Sequence, residues 1–110
     1  MSDILARDWD AVRPVQSAAH FSASKCAHVG LVRGLSKVLG PHGVRVNAVA
    51  AGILCQGVTR DIPAGFRQAC EKHAALGRLP RPEGVARVIA HFACEPGYVT
   101  GQVVSVTGGL

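Results

Sequence analysis

The sequence predicts an α/β fold, a parallel strand, helices, strand unit, and three observations lead to it. One long segment repeats its apolar residues at helical spacing, two short segments are rich in β-branched residues, and helical and strand-like segments alternate along the 110 residues. The longest periodic segment predicts a helix from about Phe21 to Leu39, with His28, Leu31, Val32, Leu35, Val38 and Leu39 recurring three and four residues apart on one face. Gly40 is expected to supply the left-handed residue that ends this helix, and Pro41 cannot continue it. Gly30 and Gly34 each cost about 1 kcal/mol in helix propensity, which implies a close neighbour.

Val44 to Ala50 then reads as a short buried strand. A loop from Ala51 to Ile62 follows, and Pro63 can start a second helix through about Leu76, with Phe66, Ala69, Cys70 and Ala74 on one side. A third helix runs from near Pro82 to before Pro96, its stripe made by Val85, Val88, Ile89 and Phe92. The turn Glu95–Gly97 leads to a last strand, Gln102 to Thr107, stopped by Gly108 and Gly109. A parallel crossover of this kind needs apolar cover on both faces of its sheet. The first twenty residues carry less pattern: Asp8 can cap a turn through Trp9 and Val12, and Pro14 limits it.

With 48% hydrophobic and 17% charged residues the chain has the composition of one globular domain and is too apolar to be disordered. No apolar stretch approaches the ~20 residues of a membrane-spanning helix, and the acidic start MSDILARDWD resembles neither a secretory signal nor a transit peptide, so a cytoplasmic protein without membrane association is expected. The formal charge of +5 is spread over single basic residues with only 5% aromatics, a pattern that points away from nucleic acid. Cys26, Cys55, Cys70 and Cys94 form no C-x-x-C pair, and three fall in helical patterns, which predicts buried thiols and no metal.

The run FSASKCAHVGLVRGLSKVLGPHGVRVNAVAAGIL and the run GRLPRPEGVARVIAHFACEPGYVTGQVVSVTGGL carry four motifs in order. These are Ser22-Ala23-Ser24-Lys25, Gly43-Val44-Arg45-Val46-Asn47, Gly77-Arg78 leading to Pro82-Glu83, and Tyr98-x-Thr100-Gly101-Gln102 leading to Gly108-Gly109. Over about residues 20–110 the chain resembles the C-terminal half of the short-chain dehydrogenases/reductases. The resemblance implies one partial domain: residues 1–20 as a divergent segment, and residues 21–110 as the last two strands, with flanking helices, of a truncated Rossmann-like, doubly wound parallel sheet. It also implies an NAD- or NADP-dependent hydride transfer to or from a small carbonyl or alcohol.

By the same resemblance Lys25 stands at the catalytic lysine that holds the nicotinamide ribose, four residues after the position of the catalytic tyrosine. That position is Phe21. A phenyl ring has no transferable proton, and losing a positioned general acid removes about 10²–10⁴ in rate. Consecutive helical side chains diverge by about 100°, so the neighbouring His20 is a poor substitute. Ser17, Ser22 and Gln16 are weaker matches to other family positions. The nicotinamide loop is expected at Ala51, Gly52 and Ile53, with Gln56 at the family's threonine, and the Gly-rich strand-to-helix turn that grips a pyrophosphate is not found. Gly30-x-x-x-Gly34 lies inside a helix and reads as close packing. Asn47 reads as a polar residue hydrogen-bonding near a strand, and Tyr98 as a packing residue. The expected outcome is an oxidoreductase scaffold with impaired catalysis or, alternatively, a non-enzymatic module that pairs with itself or with a full-length relative.

Overall fold

The structure is a computed structural model that describes residues 19–54, 56, 59 and 61–110. Chain order gives helix α1 (Ala19–Leu39), a 3-10 turn (Gly40–His42), strand β1 (Ala48–Ala51), helix α2 (Ala64–His73), helix α3 (Pro82–Cys94) and strand β2 (Val103–Val106). The two strands pair in parallel, Ala48 opposite Val103 through Ala51 opposite Val106. The predicted crossover is therefore present, and its connection carries α2 and α3. The expected turn at Asp8–Val12 lies outside the described residues.

Several boundaries differ from the sequence reading for identifiable reasons. Residues 44–47 were expected in the first strand but run beside it. There Val46 N–H donates to Thr100 Oγ1 (3.0 Å), Val46 C=O accepts from Gly101 N–H (2.7 Å), and the Asn47 side chain donates to Val99 C=O (2.9 Å) and accepts from Gln102 N–H (3.1 Å). Side-chain bonds replace ladder bonds at that end, so the strand proper begins at Ala48. Gly40 is not the left-handed terminator. Pro41 tightens the chain into a 3-10 turn, and Gly43, at φ 74°, closes it by donating to Gly40 C=O (2.9 Å). α2 ends at His73, with Ala74 already extended at ψ 130°.

The best-buried cluster is Ile53, Cys70 and Leu79, packed against Ile62, Phe66 and Leu110. It sits beside the C-terminal end of β1, so the loop leaving that strand is rooted in the core. Cys70 is buried on the face of α2 that the spacing indicates, and Ala74, just past the helix end, is buried too. α3 packs on β1 with Val85 buried, and the Arg45 guanidinium donates to Phe92 C=O (3.0 Å) and Glu95 C=O (2.8 Å), tying down the carbonyls at the end of that helix.

α1 departs most from expectation. Leu31 and Val38, placed by the spacing on a buried stripe, are 56% and 64% exposed, and Ser36 is the buried residue. The reason is that little of the described structure lies against this helix: a Cβ at Gly30 or Gly34, where the sequence implied a close neighbour, would have nothing within 4 Å among the described residues. What holds α1 is a close approach at Gly101, whose φ of +72° suits glycine and whose missing Cβ would fall 2.7 Å from Ser36 Oγ. The Ser36 hydroxyl itself donates to Arg33 C=O (2.8 Å).

Candidate active site

The first turns of α1 place Phe21 and Lys25 one turn apart, so their side chains meet. Lys25 Nζ lies 5.3 Å from the centre of the Phe21 ring, a cation–π contact worth about 0.5–1 kcal/mol at an exposed position. Phe21 is 47% exposed, so this end of the helix faces solvent with an ammonium above a ring face. Ser24 Oγ donates to Phe21 C=O (2.7 Å), and His28 Nδ1 lies 2.7 Å from Ser24 C=O. Both bonds turn polar side chains back onto their own helix. His20 is exposed, one residue before Phe21. Gln16 and Ser17 lie outside the described residues.

Ala51, Gly52 and Ile53 follow one another at the C-terminal end of β1, the end at which parallel sheets present loops to ligands. Ala51 is exposed and Ile53 is buried in the core cluster. Gly52 N–H donates to Val106 C=O (3.0 Å), and a Cβ at Gly52 would lie 3.1 Å from Thr107 Cα and 3.4 Å from Pro80 Cγ. The loop is thus clamped on one side by the residue after β2 and on the other by Pro80. Gln56 is exposed, and its carbonyl accepts from Thr59 Oγ1 (3.0 Å).

The structure therefore brings Phe21 and Lys25 together as one group and Ala51–Ile53 as another. Three residues that the spacing did not single out, Arg45, Asn47 and Ser36, organise the opposite end of the unit, at the start of β1 and the loop before β2. Each acts through backbone groups 47 or more positions away or through a glycine contact, which local spacing does not reveal. Asn47 does hydrogen-bond near the strand as read. Tyr98, expected to pack, is fully exposed on the loop before β2. Of the described thiols, only Cys70 is buried; Cys26 and Cys94 are exposed because they lie on helix faces that nothing described covers, and Cys55 is outside the described residues. Burial raises the Cys70 thiol above its ordinary pKa.

A long helix with a lysine near its start, followed by a parallel crossover with a glycine loop leaving its first strand, is a Rossmann-type α/β arrangement. The chain belongs to the short-chain dehydrogenase/reductase family: residues 4–110 match the family model described as Enoyl-(Acyl carrier protein) reductase. It is 39% identical over 92 residues to the 3-oxoacyl-[acyl-carrier-protein] reductase of Thermotoga maritima, and 38% identical over 92 residues to the human (3R)-3-hydroxyacyl-CoA dehydrogenase. Both alignments span 83% of this chain but only 37% and 35% of those proteins. Among solved structures, a 3-oxoacyl-[acyl-carrier protein] reductase from Brucella melitensis superposes with TM-score 0.78 at 34% identity, over 91% of this chain and 38% of that one. A second such Brucella melitensis reductase, with bound NAD, superposes with TM-score 0.74 at 35% identity, over 91% of this chain and 37% of its own. The described α/β unit is thus a Rossmann-type fragment of the family fold. No helix among the described residues is long and apolar enough to cross a membrane.

Proposed function

We propose that this chain carries the nicotinamide-ribose side of an NAD(P)-dependent oxidoreductase acting on a small carbonyl or alcohol, with its acid–base chemistry impaired. The observation that carries this reading is the Phe21–Lys25 pair, an ammonium held over a ring that has no hydroxyl. Lys25 has the donors to hold ribose hydroxyls, and the backbone at Ala51, Gly52 and Ile53 can approach a carboxamide, with Ile53 N–H as the donor we assign. These groups fit the nicotinamide half of a dinucleotide. No Gly-rich strand-to-helix turn is found to cradle its phosphates. When bound, a nicotinamide supplies or accepts the hydride. The chain's own part is to bind and orient it, and at Phe21 no proton can be given to or taken from a substrate oxygen. We assign the protein to the cytoplasm, where the exposed thiols of Cys26 and Cys94 would stay reduced.

A second reading rests on a separate observation. Leu31, with Ala27, His28, Gly30, Gly34 and Leu35, lines an open, mostly apolar groove along α1. This groove and the edge of β1 that no described strand pairs fit a module that pairs with a second copy or with a relative. Fluorescence titration with NADH and NADPH separates the two: saturable binding at micromolar concentrations supports the cofactor-binding scaffold, whereas no binding up to millimolar favours the pairing module.

A further inference from the structure

Ile53 N–H, the donor assigned above to a carboxamide, is a backbone group, so its direction is set by whatever holds residues 51–53. Among the described residues nothing accepts a hydrogen bond from it, so no bond of its own fixes it. Three other contacts do. Gly52 N–H, one peptide earlier, donates to Val106 C=O (3.0 Å). The Ile53 side chain is 6% exposed and packs with Cys70 and Leu79. Between these two anchors, Gly52 is walled on both sides: a Cβ there would lie 3.1 Å from Thr107 Cα and 3.4 Å from Pro80 Cγ. Gly52 is not among the glycines with positive φ, so room rather than backbone freedom is what requires a glycine at this position.

The two walls are stiff. Pro80 directly follows Leu79, so one stretch of chain both anchors the Ile53 side chain and closes on Gly52, and the proline ring locks its own φ. On the other side the nearest atom is Thr107 Cα, a backbone atom that cannot turn aside as a side chain can, and it continues directly from β2. We propose that Pro80 and Thr107 are positioning residues for the nicotinamide: by closing on Gly52 from two sides they fix the direction in which Ile53 N–H is presented. This role rests on the cofactor reading, whereas the packing of the loop does not. A donor bonds well only over a narrow range of directions, and a first contact held this way keeps its geometry before the ligand arrives.

The test titrates the full chain with NADH by fluorescence, follows the Ile53 amide by heteronuclear NMR, and records urea midpoints alongside. In the unsubstituted chain NADH should shift the Ile53 signal. Pro80→Ala, which removes Cγ, and Thr107→Gly, which loosens the other wall, should each move that signal before any NADH is added and weaken NADH binding about tenfold or more. Gly52→Ala, which presses a methyl group against both walls, should do the same and decides the matter where a wall variant does not fold. Gly101→Ala, at the opposite end of the strands, should lower the urea midpoint and leave both the Ile53 signal and the NADH affinity unchanged. A merely structural role would make the wall variants behave like Gly101→Ala. The positioning role is overturned if the unsubstituted chain binds NADH and a folded wall variant binds it as tightly, or if affinity falls in every variant, Gly101→Ala included, in step with stability. Absence of NADH binding by the unsubstituted chain up to millimolar overturns the cofactor reading itself, and the positioning role with it.

Discussion

At Phe21 a single oxygen atom separates a ring that can only pack from one that can exchange a proton. The ring sits under Lys25 Nζ at 5.3 Å, so a hydroxyl added at its para position would extend from a site already beside a cation, which favours the phenolate and lowers the proton's hold. On the proposed function, Phe21→Tyr should raise NAD(P)H-dependent reduction of a small ketone by about 10²-fold or more without changing cofactor affinity, checked by the loss of NADPH absorbance. If cofactor binds and the tyrosine variant still shows no gain, the chain lacks more than a proton donor. A second residue-scale prediction concerns Cys70. Burial raises its pKa above that of an ordinary thiol, so the folded state holds the thiol proton more tightly than the unfolded state does. That contribution to stability is complete below the ordinary thiol pKa and is lost as pH rises above it. The urea midpoint should therefore fall between about pH 8 and about pH 10, and Cys70→Ala should flatten this dependence.

At the level of elements, the contact between α1 and the loop before β2 is set by Gly101. Its φ of +72° is strained for any L-residue, and a methyl group there would meet Ser36 Oγ at 2.7 Å. Gly101→Ala should destabilise the fold by about 1–3 kcal/mol, read from urea unfolding followed by circular dichroism. Ser36→Ala in the same chain should recover part of the loss by removing the hydroxyl. The helices themselves were legible in the sequence because α2 and α3 each show a face with its own period: Cys70 and Val85 lie buried where the spacing put them, although Ile89 of the α3 stripe is 51% exposed. The start of β1 was not legible. VRVNAVA has the composition of one strand throughout, but Asn47 uses its side chain to bind Val99 and Gln102, and that choice depends on a loop more than fifty positions away.

For the molecule as a whole, the deciding feature is how little described structure covers its apolar surfaces. Ala48 N–H donates to Gln102 C=O (2.9 Å) and Gly52 N–H to Val106 C=O (3.0 Å), so alternation along the strand turns the peptide groups of Val49 and Ala51 toward the other edge. Among the described residues the sheet has two strands, and that edge of β1 has no strand beside it. Parallel sheets are normally covered on both faces, and an open edge next to exposed apolar residues favours association. The purified chain should therefore associate in a concentration-dependent way, measurable by light scattering after size exclusion. The double change Leu31→Glu and Val38→Glu should shift it toward monomer, because both residues are exposed on α1 and removing them costs little packing. A monomer that unfolds in one cooperative step at low concentration would contradict this expectation.

Sequence alone determined the α/β class, the three helices, the strand pair and the identity of the residue four positions before Lys25, because each of these is written in local spacing or in a single side chain. Tertiary structure decided which apolar residues are inside. His28, Leu31 and Val38 share the period of a core stripe but lie exposed, while Ser36 is buried, since burial depends on what stands opposite a helix and not on the helix. It also decided that Gly52 is gripped by Thr107 and Pro80, and that Leu110 reaches back to the cluster of Ile53, Cys70 and Leu79. Contacts between distant parts of a chain leave no periodic mark on either part, so they exist only once the chain has folded.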